Sequence, residues 1–172
     1  MQNIRTSSSI LFGLAVTLFV LCMPSISNAQ DWINMNRVKA KYRVLKPQIT
    51  AKAGEKITVE VEVEPFAEWY IYSVKERNGV PATMMLLDMT VADHLEPTNE
   101  NPPPTESYDE AYDDEAYKHH ALVTFSQVIH LKKKLKKGKY TVEMTLGIQT
   151  CNNSTGQCIK DEIPIKYELV VK

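Results

Sequence analysis

Residues 140–171 read YTVEMTLGIQTCNNSTGQCIKDEIPIKYELVV, and this stretch decides the fold. Apolar side chains occupy even positions up to residue 148, and the apolar set falls on odd positions from residue 159 onward. A period of two is typical of a strand with one buried face. The polar segment 152–157 lies between the two runs, so we predict a β-hairpin with a cysteine at each end of its loop.

The two cysteines lie at the opposite parity to the apolar side chains of their own strands. Cys151 is odd where core-facing positions are even, and Cys158 is even where core-facing positions are odd. Both sulfurs are therefore predicted on the face of the sheet that points away from the core. A disulfide that joins two sheets of a sandwich would be expected at inward positions. We expect this pair to be presented at the surface.

Further strand patterns recur along the chain with turn signals between them. Alternating or apolar runs predict strands at 38–44, 57–63, 69–72, 84–91 and 121–131. The last of these changes the phase of its alternation near Ser126 and Gln127, which predicts an irregularity there. No segment shows a sustained helical period. The sequence thus predicts an all-β, antiparallel β-sandwich.

The first 29 residues have the pattern of a secretory signal peptide. Arg5 precedes an apolar run at 10–22 that is too short for a confident membrane span, and small residues at 27–29 offer a cleavage site. The alternatives are an uncleaved anchor and a lipoprotein signal at Cys22, although Leu21 stands where such signals favour a small residue. We predict cleavage before Gln30.

The mature chain is then expected to be one domain, residues 30–172, in an oxidising compartment. Loss of Arg5 takes the formal charge from −1 to −2, and two cysteines remain. This near-neutral charge argues against nucleic acid as a partner. Contact with a membrane is expected only through a partner or through an uncleaved signal.

The middle of the chain changes composition twice. Prolines with Asn and Thr at 96–106 predict an extended, solvated loop. Residues 107–117 interleave five acidic side chains with three tyrosines, which favours a lid or a contact loop over a spacer. The lysine cluster at 132–139 predicts a solvated turn, with lipid headgroups as the alternative.

Two cysteines in a secreted chain allow either a structural bond or thiol chemistry. A disulfide that closes this eight-residue span contributes about 2.5 kcal/mol in the loop-entropy model, which is a small contribution to stability. An accessible pair can instead exchange with another disulfide through a mixed disulfide. A structural bond remains the alternative, because most cysteine pairs of secreted proteins are structural.

Other chemistries lack the residues that they need. The four histidines, at 94, 119, 120 and 130, have no zinc-like spacing from the cysteines, so neither a metal nor another cofactor is expected. No glycine-rich phosphate loop, nucleophile elbow or HExxH motif is present. Asn152 and Asn153 match the N-glycosylation acceptor, which matters only where the source adds N-glycans.

Four segments in one order carry a family resemblance: Ala53-Gly54-Glu55, Glu68-Trp69-Tyr70-Ile71-Tyr72-Ser73, Val123-Thr124-Phe125, and Gly147-Ile148-Gln149-Thr150-Cys151 with Cys158. Together they resemble the N-terminal periplasmic domain of the thiol:disulfide interchange protein DsbD, over roughly residues 38–171. The resemblance implies a periplasmic, immunoglobulin-like sandwich. Its hairpin disulfide would receive electrons from a thioredoxin-like domain and pass them to periplasmic oxidoreductases.

The resemblance also implies roles for individual residues. Cys151 and Cys158 would be the catalytic pair, with Cys158 the sulfur that attacks or is attacked. Aromatic residues beside the cysteines and a mobile acidic and aromatic cap loop would shield this pair. The matching positions are Tyr70 and Tyr72 for the aromatic residues, and Tyr108, Asp109, Glu110 and Tyr112 for the cap.

This sequence departs from the family in two respects. Six residues separate its cysteines, where the family commonly has five, and we expect it to have neither the multi-span membrane domain nor the thioredoxin-like domain of DsbD. We therefore expect thioredoxin-like oxidoreductases and a separate membrane electron donor as partners. The chain would be a component of a protein-disulfide reductase, for example in cytochrome c maturation or metal-stress repair. The alternative is an immunoglobulin-like binding or interaction module with a structural disulfide.

Overall fold

Strands make up all the regular structure of the residues described by the computed structural model, which are 30–77, 80, 82–87 and 89–172. The predicted signal peptide lies outside these residues. In the same part of the chain, no helix is long and apolar enough to cross a membrane. The strands are β1 (Ile33–Met35), β2 (Ala40–Val44), β3 (Gln48–Ala51), β4 (Lys56–Pro65), β5 (Trp69–Tyr72), β6 (Met84–Leu87), β7 (Ala92–Leu95), β8 (Asn99–Asn101), β9 (Thr105–Asp109), β10 (Asp114–His119), β11 (Val123–Leu131), β12 (Gly138–Asn152) and β13 (Cys158–Val171).

These strands form two sheets. The first has the order β1-β2-β4-β11-β7, with β8 also paired to β11, and the second has the order β3-β13-β12-β5-β10-β9, with β6 also paired to β12. All named pairs are antiparallel except β3 with β13, which run parallel. The architecture confirms the predicted immunoglobulin-like β-sandwich and adds one parallel pair that the alternation of side chains does not reveal.

The apolar core lies between the two sheets. The first sheet contributes the β-branched side chains of β4 and Phe125 of β11, and the second contributes Val142, Met144, Leu146 and Ile148 of β12. These are the even positions of β12, and the odd positions of β13 from Ile165 to Val171 are buried with them, so the predicted parity is confirmed.

The hairpin of β12 and β13 pairs without interruption from Gly138 opposite Val171 to Cys151 opposite Cys158. Its turn is held by the Asn152 side chain, whose Oδ1 accepts hydrogen bonds from the backbone N–H groups of Ser154 and Thr155. Gly156 adopts a φ of 68°, which L side chains rarely adopt. The predicted hairpin with a cysteine at each end of its loop is confirmed.

The predicted change of phase in the strand near Ser126 and Gln127 is wrong. β11 keeps its alternation along its whole length and places Gln127 at a buried position. The Gln127 amide nitrogen donates hydrogen bonds to the backbone carbonyls of Met85 and Glu96, which compensates for its own loss of water, whereas Oε1 of the same side chain is buried without a partner. The irregularity lies instead between His130 and Leu131, where the pairing with β7 shifts.

The loop predicted at 96–106 is in part a strand region. β8 and the first residues of β9 lie within it. The three consecutive prolines at 102–104 fall between these two strands, so they interrupt neither of them. The strand predicted at 84–91 ends at Leu87, and β7, which follows, was not predicted. The lysine cluster forms an exposed turn between β11 and β12.

Candidate functional site

The two cysteines end the hairpin as opposite residues of one rung, with their Cα atoms 4.1 Å apart and their sulfurs joined in a disulfide. At this rung β12 lies between two neighbouring strands, because Cys151 pairs with Tyr70 of β5 as well as with Cys158. β13 meets its other neighbour, β3, only at residues 168–171. One sulfur therefore belongs to the interior of the sheet and the other to its margin.

The solvent exposure of the two sulfurs differs accordingly. Cys151 is 0% exposed and Cys158 is exposed. The prediction that both would be presented at the surface is thus wrong for Cys151, although its outward parity holds, since it lies in an apolar cluster separate from the main core. We call this group the tyrosine cluster: Cys151 with Tyr70, Tyr72, Val80, Ala116 and the half-buried Tyr112.

The hairpin of β9 and β10 covers this face of the sheet and brings a carboxylate to it. Asp109 is buried, and its Oδ2 accepts hydrogen bonds from the hydroxyls of Tyr70 at 2.9 Å and Tyr72 at 2.7 Å. Burial by itself raises the pKa of Asp109, but hydrogen bonds from Tyr72, Tyr70, Lys118 and a backbone N–H outweigh it and hold that pKa below its ordinary value. Asp109 is therefore a buried carboxylate anion.

Lys118 supplies the opposite charge. Its ammonium lies 3.2 Å from Asp109 Oδ2, donates to the Tyr108 carbonyl at 2.8 Å and stands 4.6 Å from the centre of the Tyr70 ring. Lys118 reaches this place because β10 pairs with β5 and sets it opposite Tyr72. Lys118 was not predicted from the sequence as a site residue. The feature that could have indicated it is its position two residues after Ala116, which places both side chains on the same face of a strand.

The two cluster tyrosines hold the buried sulfur from one side. The Tyr72 hydroxyl lies 3.3 Å from Cys151 Sγ, and the Tyr70 and Tyr72 rings meet edge to face with centroids 5.5 Å apart. Burial, with the nearby Asp109 carboxylate, raises the pKa of Tyr70 to about 12 and raises that of Tyr72 as well. Both phenols are therefore neutral at physiological pH.

Gln149 holds the same sulfur from another side. It lies two residues before Cys151 on the same face of β12, and its Nε2 donates to the Tyr112 hydroxyl at 2.8 Å. The same nitrogen is 3.7 Å from Cys151 Sγ, within the range of a hydrogen bond to sulfur. Gln149 was not predicted as a site residue, although the period of two places it beside Cys151.

The residues predicted for the cap divide between two environments. Segment 107–117 is a β-hairpin, and Asp109 and Tyr112 are its side chains that reach the tyrosine cluster. Tyr108 is 58% exposed with its hydroxyl bonded to Asp113, and Glu110 is exposed. Besides the two cysteines, four of the predicted site residues therefore lie around the disulfide and two face solvent.

The histidines lie in separate surroundings. His94 and His130 stack edge to face, the buried His119 bonds Glu100, and His120 lies against the Tyr70 ring. In the described part of the chain, no group of three or more His, Cys, Asp or Glu side chains could hold a metal ion.

Comparisons with known proteins show the family and the fold of the chain. A family model described as "Thiol:disulfide interchange protein DsbD, N-terminal" matches residues 38–166. The N-terminal periplasmic domain of ScsB from Proteus mirabilis has a similar fold, with a TM-score of 0.58 and 18% identity. That match covers 81% of this chain, and the chain spans only 50% of the ScsB structure.

Two further solved structures are less similar. The reduced N-terminal domain of DsbD from Neisseria meningitidis has a TM-score of 0.43 and 18% identity, over 69% of this chain and 80% of its own. A complex between the DsbD and PilB N-terminal domains of the same organism has a TM-score of 0.43 and 14% identity, over 64% and 73%. A search of curated protein sequences finds no match.

Proposed function

Because the chain belongs to the family of DsbD N-terminal domains, we propose that it is a thiol:disulfide exchange module that passes electrons through Cys151 and Cys158. Its partners would be thioredoxin-like proteins on both sides of the exchange. The single observation that carries the proposal is the asymmetry of the bond. One sulfur is exposed to a partner and the other is buried among groups that can hold it.

This asymmetry sets the order of the steps. A partner thiolate attacks Cys158, forms a mixed disulfide with it and releases Cys151 as a thiolate. The second thiol of the partner then attacks the partner sulfur that is bonded to Cys158. This step releases the partner with its own disulfide formed and leaves Cys158 reduced. The reduced pair repeats the sequence in reverse on an oxidised partner, with Cys158 attacking and Cys151 resolving.

The predicted cap residues have distinct roles in this proposal. Tyr70, Tyr72, Asp109 and Tyr112 shield Cys151 from small oxidants and from unintended partners, since they pack over it or hold the packing in place. Tyr108 and Glu110 lie on the exposed side of the same hairpin, where an approaching partner would meet them.

We further propose that residues 30–172 act as one domain in the periplasm after cleavage of the signal peptide. The electron donor would be a separate membrane protein and the acceptors would be thioredoxin-like oxidoreductases, such as those of cytochrome c maturation. In this scheme the module is a component of a protein-disulfide reductase and needs no cofactor of its own.

Two measurements test the function. Titration against a dithiothreitol redox buffer should give a reduction potential less negative than about −300 mV, the range of exchangeable disulfides. Reduced Cys151→Ala should trap a mixed disulfide through Cys158 when it is incubated with a thioredoxin-like protein that lacks its second active-site thiol and whose remaining cysteine is activated as a disulfide with a small thiol, which is the leaving group. The matched control Cys158→Ala should trap far less, because its remaining sulfur is buried. A reduction potential more negative than about −300 mV, together with no trapped complex from either variant, would refute the proposal.

The second candidate is an immunoglobulin-like interaction module with a structural disulfide. The burial of Cys151 favours it, because a disulfide held inside a packed cluster resembles a structural one. In that case Cys151→Ala and Cys158→Ala would each lose some stability and keep partner binding. Loss of electron transfer with a surviving fold would instead support the exchange module.

A further inference from the structure

The burial of Cys151 creates a chemical requirement that its exposed partner Cys158 does not share. When a thiolate attacks Cys158, the bonding electron pair of the disulfide moves onto Cys151, whose side chain is 0% exposed. A charged group without water is costly unless the protein supplies hydrogen bonds to it. A neighbour of Cys151 that donates a hydrogen bond to its sulfur would offset this cost.

The tyrosines and the lysine of the site are committed to other acceptors. Tyr72 is 3.3 Å from the sulfur, but its single hydroxyl proton goes to Asp109 at 2.7 Å, as does that of Tyr70 at 2.9 Å. The Lys118 ammonium is held by Asp109 and by the Tyr108 carbonyl. The Asp109 carboxylate itself opposes negative charge on the sulfur, since it lies just beyond the Tyr72 hydroxyl.

The Gln149 amide differs from the tyrosine hydroxyls because it has two protons, and it contacts the sulfur directly. One is donated to the Tyr112 hydroxyl at 2.8 Å, and the nitrogen lies 3.7 Å from Cys151 Sγ with its second proton still available. Gln149 is itself buried, so water competes little for that proton. Its strand position also fixes it, because the backbone of β12 pairs with β13 at both Gln149 and Cys151.

We propose that Gln149 is a catalytic residue of the exchange, as the hydrogen-bond donor that stabilises the Cys151 thiolate when it leaves and again before it attacks. The contact shortens once the sulfur is charged, as hydrogen bonds to ions do. The proposal rests on the proposed function, in which Cys158 is the sulfur attacked first.

The decisive variant is Gln149→Leu, which keeps the approximate volume and removes the donor. Its oxidised form should be reduced by dithiothreitol about tenfold more slowly than the wild type, the size expected for one hydrogen bond to a charged group. In a Cys158→Ala background, which leaves Cys151 as the single mature thiol, the pKa of that thiol should rise by about one unit. The ultraviolet absorbance of the thiolate measures it.

Gln157→Leu is the matched control, because Gln157 is exposed, lies beside the other cysteine and has the same chemistry. Its rate of reduction by dithiothreitol and the pKa of its Cys151 thiol should equal those of the wild type. Equal values for Gln149→Leu and the wild type in both measurements would overturn the proposal.

Two more variants separate donation to sulfur from a merely structural role. Tyr112→Phe removes the other partner of the Gln149 amide but leaves the amide in place, so the pKa of the Cys151 thiol should shift less than in Gln149→Leu. Gln149→Glu places an acceptor against the sulfur, and its rate deficit should grow as the pH rises and the new carboxylate ionises. The proposal is wrong if Tyr112→Phe reproduces the pKa shift of Gln149→Leu, or if Gln149→Leu and Gln149→Glu share one pH profile.

A failure of the proposed function would look different. The wild type would then fail to exchange with reduced thioredoxin-like proteins while dithiothreitol still reduced it, and the Gln149 variants would still be judged by that rate and by the thiol pKa. Normal exchange by the wild type with unchanged values for Gln149→Leu would remove the role of Gln149 and leave the function standing.

Discussion

The main core and the tyrosine cluster lie on opposite faces of the same β12–β13 hairpin and are built in different ways. The core joins two sheets with mainly aliphatic side chains, together with Phe125, Tyr42 and Tyr167, and its apolar contacts have no preferred direction. The cluster lies where β12 and β5 meet the β9–β10 hairpin of the same sheet, with tyrosines around the ion pair of Asp109 and Lys118. The first arrangement holds the fold together, and the second fixes the position of one sulfur.

The largest expected effect is a loss of stability on Phe125→Ala, in the main core. Phe125 is fully buried, and large-to-small changes of this kind cost about 3–5 kcal/mol. Urea unfolding of the oxidised protein measures the loss. Leu122→Ala, at a position with 39% exposure just before β11, is the control and should cost less than about 0.5 kcal/mol. Similar losses for both variants would contradict the assignment of the core.

Asp109→Asn should have the next largest effect, in the tyrosine cluster. It leaves the Lys118 ammonium buried without its counter-charge, which costs about 3 kcal/mol. Adding Lys118→Met should restore part of the loss, because no uncompensated charge then remains. Urea unfolding of the two single variants and the double variant forms the cycle. Simple additivity of the two single losses would show that the two charges do not interact.

The stability that the tyrosine cluster contributes should depend on pH. The pKa of Asp109 is about 3.9 in an unfolded chain and lower in the folded protein, so its contribution to stability is present above about pH 4. That contribution is lost as the pH falls through the folded pKa. Between about pH 6 and pH 2, the free energy of unfolding should therefore decline less steeply for Asp109→Asn than for the wild type. Parallel curves would contradict the lowered pKa.

A smaller effect distinguishes the two predicted cap tyrosines. Tyr112 packs edge to face against Tyr72, whereas Tyr108 is 58% exposed. Tyr112→Ala should speed alkylation of Cys151 several-fold in the reduced Cys158→Ala protein, because access limits the reactivity of a buried thiol. Tyr108→Ala should leave that rate unchanged. Equal labelling rates for both variants and the parent would mean that this hairpin does not shield the sulfur.

The smallest effect belongs to the outer face far from the cysteines. Lys166 and Glu143 form an ion pair whose side chains are 66% and 63% exposed. Lys166→Met should change the free energy of unfolding by less than about 0.5 kcal/mol. A loss as large as that of Asp109→Asn would remove the contrast between exposed and buried pairs.

The sequence predicts the core better than the cluster, for a physical reason. The alternation in residues 140–171 is a local property that follows from the pleat of a strand, and it correctly sets the parity of both cysteines. The burial of Cys151 depends on the hairpin of β9 and β10, which lies more than 30 residues away and docks through the pairing of Lys118 with Tyr72. Nothing in the local pattern around Cys151 contains that contact.

The other discrepancies have the same origin. Gln127 interrupts the apolar alternation of its strand, and its burial is understandable only once the carbonyls of Met85 and Glu96 are in place. Lys118 would be solvated on most strands, and here Asp109 makes its burial tolerable. Polar residues whose partners are distant in sequence are therefore the ones that a pattern of apolar positions misplaces.

The placement of Cys151 and Cys158 on one rung has a kinetic consequence. The backbone hydrogen bonds of the hairpin hold these two residues opposite each other whether or not their sulfurs are joined. In the reduced protein each thiol therefore meets the other at an effective concentration far above that of any partner in solution. A partner captured on Cys158 would be displaced soon after it bound, so the pair would transfer two electrons together and spend little time half oxidised.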